Sequence, residues 1–249
     1  MRTLEQERLL SIVNGPGEMI VIPQIDNGKE PLQPINIAHM IWLPNDTPYG
    51  NLLLKGMNIV RRIDRVNMEI SRVFSSYVHP SKERINDTAQ DLLEHQFYAE
   101  QVVYWLRKTL DEFISLGYVI DEWNRTGKWP KSVQIDSIAG LKDSPSKELW
   151  QLFGPHEEFL SALNEVANAF KHSFINTDMT VVGAEYPVVC ALALKRNKLA
   201  EPPMFYSLSF AEMVNAFSVV YKECWTTLQR WASTGRVNHG PANIHMDQA

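Results

Sequence analysis

The chain has 249 residues, 45% of them hydrophobic and 21% charged, with a net charge of −5. A chain of this length buries most of its apolar surface without disulfide or metal staples. The acidic balance excludes a general electrostatic pull towards nucleic acid or anionic membrane. The two cysteines, Cys190 and Cys224, sit in apolar surroundings without a CxxC or CxxH pairing, and read as small buried hydrophobes. The first ten residues, MRTLEQERLL, are charged and lack an apolar core, so no secretory leader is expected. The longest unbroken apolar run, residues 188–194, is far too short to span a membrane. The expectation is a cytoplasmic protein with no membrane partner.

Residues 2–13 carry helix formers with Leu4, Leu9, Ile12 and Val13 on one side, and Asn14-Gly15-Pro16-Gly17 ends that helix. Between 18 and 50 the character changes. Short β-rich runs at 19–22 and 35–43 lie among Pro23, Pro31, Pro34, Pro44 and Pro48, a density that favours an extended arm over regular structure. The helical period returns over 52–78. Ile59, Ile63, Val66, Ile70, Val73, Phe74 and Tyr77 share one face and Arg61, Arg65 and Arg72 the other, with Arg62 and Glu69 at its margin. His79-Pro80 stops it.

The longest amphipathic stretch runs over 86–124. Asn86 and the Asp87/Gln90 pair offer start signals. Ala99, Val102, Val103, Leu106, Leu110, Phe113, Ile114, Gly117 and Ile120 fall on one arc, and Glu94, Gln101, Lys108, Glu112 and Asp121 on the other. Phe97, Tyr98, Tyr104 and Trp105 widen the apolar surface, which places this helix among several partners. Residues 128–145 read as a connection. Ser144-Pro145 predicts the start of a short helix, and Gly154-Pro155 opens a longer one to about residue 175, with Phe159, Leu160, Leu163, Val166, Ala167, Phe170 and Phe174 as its core stripe.

From 179 to 208 the period switches to short runs at 180–182, 188–194 and 204–208, predicting a small antiparallel meander. Ser209 and Glu212 form a capping box for a last helix with Phe210, Met213, Val214, Phe217, Tyr221, Cys224, Trp225, Leu228 and Trp231 inside; Gly235 ends it. The fold class is therefore mainly α: a four-helix bundle over 51–235, a β insert near 179–208 between the third and fourth long helices, a proline-rich N-terminal arm over 1–50 packed on the bundle, and a loose tail over 236–249.

Chemistry is sparse. Asn164, Asn168, Lys171 and His172 gather late in the third long helix, with Asn168 and His172 one turn apart and facing away from the core stripe. Two amides, an amine and an imidazole form a set suited to a phosphate, and the histidine is suited to moving a proton near neutral pH. A polar residue, a few spacers and a histidine late in a helical bundle resemble the HEPN superfamily, whose members include RNA-cutting bundles. That resemblance implies His172 as the acting residue, with Asn168 in a supporting place, near a dimer interface; Lys171 is out of register with the family's motif. The family's arginine is absent, since 164–168 read Asn-Glu-Val-Ala-Asn.

Arg61, Arg62, Arg65 and Arg72 make a modest basic stripe, interrupted by Asp64 and Glu69 and without aromatic residues of its own. His95 falls on the apolar arc and reads as a core histidine bonded to a neighbour. No Glu-x-x-His occurs, and no metal or cofactor is expected. Trp123 and Trp129, flanking a loop, either offer a partner surface or close the end of the bundle. The reading that follows is a helical bundle that works by binding a macromolecular partner or itself, as a homodimer. The alternative is a metal-independent, HEPN-like ribonuclease or nucleotide-binding enzyme using His172, with Asn164, Arg61, Arg65 and Arg72 as its binding residues.

Overall fold

The structure is a computed structural model that describes residues 42–77, 88–143, 146–172, 186–194, 198 and 200–239; the side chains of 88–93 and 142–143 are not among what it describes. The expected helix over 2–13, the arm before 42, the cap at Asn86-Asp87, Ser144-Pro145, the run 180–182, Phe174 and the tail beyond 239 lie outside those residues.

Helix α1, Leu52–Ser76, begins where Asn51 accepts a hydrogen bond from the Leu54 N–H at 3.2 Å, after a tight turn closed by Gly50 N–H on the Thr47 carbonyl at 2.8 Å. Of its predicted face, Ile59, Ile63, Val66, Ile70 and Val73 are buried, and Phe74 and Tyr77 are half-buried. Helix α2, Thr88–Thr126, is the centre of the bundle, and its expected arc from Ala99 to Ile120 is buried throughout. Gly127, at φ +70°, ends it by turning its N–H onto the Trp123 carbonyl at 2.8 Å.

The opposite arc holds except at Asp121. That carboxylate is buried and receives the Ser146 hydroxyl at 2.9 Å. Arg125 and Thr126 stay exposed in the last turn, so Asp121 is covered locally by the Ser146 cap and not by an enclosed helix end.

A 3₁₀ turn, Ile138–Asp143, is tied to α2 by the Asp111 side chain, which accepts the Ile138 N–H at 3.0 Å. Helix α3, Lys147–Phe153, is capped by Ser146 and not by Ser144. The Ser146 Oγ accepts the Leu149 N–H at 3.1 Å while donating to Asp121, two bonds from one hydroxyl. A second 3₁₀ turn, Gly154–His156, leads into α4, Glu157–His172, which buries Leu160, Leu163 and Val166 as expected. Strands β1, Val188–Ala193, and β2, Met204–Ser209, pair antiparallel with Cys190 opposite Ser207. They lie between the third and fourth long helices, as the change of period implied.

Helix α5, Phe210–His239, starts at Ser209, whose Oγ accepts the Glu212 N–H at 3.3 Å, and its whole predicted stripe is buried. It does not stop at Gly235. The glycine sits inside the helix because the Trp123 ring lies against it; a Cβ there would come within 2.5 Å of Trp123 Cζ3.

Helix α1 runs antiparallel to α2, with Arg62 at Glu112 and Val73 at His95. Helices α2 and α5 run parallel, with Phe113 against Tyr221 and Trp225 at ring distances of 5.5 and 5.8 Å, and Trp123 against His239 at 6.0 Å. The crossover through α3, α4 and the hairpin makes that direction reachable. Among the described residues no helix is long and apolar enough to cross a membrane.

Candidate interaction surface

The polar set of α4 is unevenly exposed. Asn164 is buried, and its side-chain oxygen meets no hydrogen-bond donor among the described residues. Asn168 is half-buried, while Lys171 and His172 are exposed in the last turn. Those two positions suit cations whatever their role, because the helix C-terminus carries the negative end of its dipole. Helix α4 packs against β1, α2 and the Ile138–Asp143 turn, whereas α1 packs chiefly against α2. The arginines of α1 lie along its seam with α2, on Glu112, Trp105 and Tyr98.

There they are held tightly. Glu69, expected at the margin of the solvated face, is buried. Its carboxylate accepts Arg65 at 2.8 Å and both-oxygen contacts from Arg72 at 3.1 Å. Arg62 makes a two-pronged pair with Glu112 at 2.7 and 2.9 Å. The Arg62 guanidinium also lies 5.7 Å over Trp105, and that of Arg72 5.7 Å over Tyr98. Arg61 is exposed. The basic stripe lacks aromatic residues in its own sequence, but α2 supplies them across the seam.

Two further aromatics of α2 turn outward. Phe97 is 58% exposed and Tyr104 51%, with Met68 of α1 at 52% close by. Phe97 and Tyr104 were expected to widen the buried surface; instead they lie on the outer row Glu94, Phe97, Gln101, Tyr104 and Lys108, spaced three and four residues apart. Such spacing runs along one face of any α-helix, so what marks this row is the exposure of its two rings. Phe97 meets Tyr98 edge-on at 6.0 Å and Tyr104 meets Trp105 at 5.0 Å, so each exposed ring leans on a half-buried one.

The other sequence candidates are structural. His95 is buried, with Nδ1 3.1 Å from the Val73 carbonyl oxygen. A carbonyl only accepts, so Nδ1 carries the proton. Burial pushes the His95 pKa down. Trp123 is buried and stacked on Trp129 at 4.8 Å, with His239 bonded to the Asn124 carbonyl beside it; the pair closes the end of the bundle. Cys190 and Cys224 are buried free thiols, both pushed up in pKa by burial. Among the described residues no three histidine, cysteine, aspartate or glutamate side chains are placed to hold a metal ion.

No protein-family model, curated protein or solved structure matches the chain.

Proposed function

We propose that the protein works by protein–protein binding through the α1–α2 face, with self-association as its first expression. The observation that supports this most is the exposed row of Phe97, Tyr104 and Met68 beside arginines already fixed on Glu69 and Glu112. Aromatic, methionine and arginine side chains are the types enriched where protein surfaces meet, and a few such anchors carry most of the binding energy. Nucleic acid is less well served by this face. Arg62, Arg65 and Arg72 are each paired with a carboxylate, which takes away the unneutralised charge that phosphate binding draws on.

The nucleolytic alternative calls for Asn168 and His172 exposed in a cleft, with a cation within reach of the same phosphate. Asn168 is half-buried beside the exposed Lys171 and His172, while Arg62, Arg65 and Arg72 are engaged on Glu112 and Glu69.

Sedimentation velocity over a concentration series tests the proposal, and a rise in mass from monomer towards dimer is expected. A monomer at every concentration would overturn it. In parallel, single-stranded RNA is incubated in chelator with the wild type and with His172→Ala, both matched for thermal stability. Cleavage lost only in the variant would put the nucleolytic reading first.

A further inference from the structure

We propose that residues 19–22 of the N-terminal arm pair with the free edge of β2 and make the hairpin a three-stranded sheet. The register fixes what that edge offers. The Phe210 N–H donates to the Pro187 carbonyl at 3.1 Å, and the same step along the ladder pairs Val189 with Leu208, Ala191 with Tyr206 and Ala193 with Met204. Bonded and non-bonded pairs alternate in an antiparallel ladder, so Met204, Tyr206 and Leu208 turn their N–H and C=O groups to β1. Phe205 and Ser207 turn theirs outward. The approach of Cys190 Sγ to Ser207 Oγ, at 3.9 Å, fits such a non-bonded pair, in which side chains come closer. Met204 is 61% and Phe205 53% exposed, and among the described residues no backbone group beyond the hairpin bonds Phe205 or Ser207.

An open edge is ordinarily blunted by a charge or a proline. Residues 204–210 carry neither, and Pro202 and Pro203, which lack donors, close the edge just before them. The run 19–22 reads Met-Ile-Val-Ile, uncharged and rich in strand formers. Pro23 holds Ile22 extended and ends any ladder after it. A strand of that length turns every second residue to one neighbour, which matches the two outward residues of β2. Its side chains then lie beside Met204 and Phe205 and cover them.

Reach decides which run of the arm is the occupant. The Arg236 guanidinium lies 4.8 Å over Trp42, and the Leu43 side chain lies against Gly56, so the chain enters the bundle towards the C-terminal end of α5. Strand β2 adjoins the other end of that helix, and Phe210 to Arg236 measures about 39 Å at the helical rise. The second β-rich run, 35–43, is held back by its own last residues: its middle, His39, stands at most about 10 Å from Trp42. Nineteen residues, 23–41, separate the first run from Trp42. Extended, they span about 65 Å, and Pro23, Pro31 and Pro34 among them favour extension. Residues 19–22 reach β2; residues 35–43 do not.

Amide exchange in the full chain, read residue by residue by NMR, tests the pairing. The double variant I20P/V21P removes two neighbouring donors, one of which faces β2 in either orientation of the run. The Phe205 and Ser207 amides are expected to exchange about a hundredfold faster in that variant than in the wild type. Tyr206 and Leu208, bonded to β1, are expected to keep their rates, which shows that the hairpin stands. Ser207→Pro deletes an N–H that points away from β1, so it is expected to spare Tyr206 and Leu208 and to speed exchange within 19–22. Wild-type Phe205 and Ser207 amides that exchange as fast as in the double variant overturn the pairing. Protection that fades on dilution overturns it too, because the strand then comes from a second copy. Association through the α1–α2 face leaves both amides untouched, so its failure and this one are read separately.

Discussion

Gly235→Ala puts the packing of the bundle's closed end to the test. A methyl group on residue 235 would lie 2.5 Å from Trp123 Cζ3, 2.8 Å from Cε3 and 3.0 Å from Cη2. The indole cannot swing aside, because its other face is stacked on Trp129 at an interplanar angle of 9°. Two effects oppose one another. Replacing a mid-helix glycine by alanine gains about 1 kcal/mol of helix propensity. Forcing an extra methyl into a packed core costs about 1–3 kcal/mol, and three contacts against a fixed ring place this case in the upper part of that range. The net expectation is a loss of about 1–2 kcal/mol, or about 2–8 °C in Tm for a chain of this size.

Urea denaturation of the wild type, Gly235→Ala and Gly140→Ala measures it. Gly140 is the control, since a Cβ there finds its nearest neighbours at an ordinary 3.7 Å. In a Trp123→Leu background the penalty at 235 should vanish and the propensity gain emerge. A Gly235→Ala variant more stable than the wild type by the full propensity gain would mean that α5 does not lie on Trp123.

Ser146→Ala removes the cap of α3 and the donor to the buried Asp121 carboxylate together. A loss of about 2–3 kcal/mol in urea unfolding is expected, with Ser146→Thr recovering most of it; a loss below about 0.5 kcal/mol would refute the double role. His95 gives a pH dependence of defined sign. Its folded pKa lies below the ordinary 6.5, so between the two values the unfolded chain binds a proton that the folded chain resists. The full stability is present above about pH 6.5 and falls as the pH drops from there towards the folded value. The fall should be shallower in His95→Gln, measured as the difference in unfolding free energy between two buffers. An imidazole titrating at or above 6.5 by NMR would contradict the buried placement.

The faces of α1, α2 and α5 were legible because burial there follows from period: every third or fourth residue is apolar, and all but the half-buried Phe74 and Tyr77 are inside. What escaped the sequence depends on neighbours distant along the chain. Asp121 looked solvated until Ser146, twenty-five residues on, bonded it. Gly235 carried the usual meaning of a helix stop, yet its missing side chain is space for Trp123. Asn164 sits on a helix whose stripe is broader than its apolar residues suggest, so an amide is buried that the period placed at the edge. The parallel run of α2 and α5 has no sequence signal, because direction is set by the crossover between them.

The outer row of α2 is the instructive case, because one helix serves two purposes. Its inner arc holds the core, and its outer row keeps two aromatic rings in water. A lone exposed aromatic requires no explanation. Phe97 and Tyr104, however, recur seven residues apart with Met68 alongside. Their neighbours are also unusually fixed: Glu69 holds Arg65 and Arg72, Glu112 holds Arg62, and two of these guanidiniums lie over the rings of Tyr98 and Trp105. Side chains immobilised before docking lose little further entropy when a partner arrives, and that ordering is a main cost of association. A small, pre-ordered face can therefore bind with modest area, whereas Lys171 and His172 stand exposed on the last turn of α4. On the reading proposed above this face makes the contact, and sedimentation over a concentration series decides whether a second copy is what it meets.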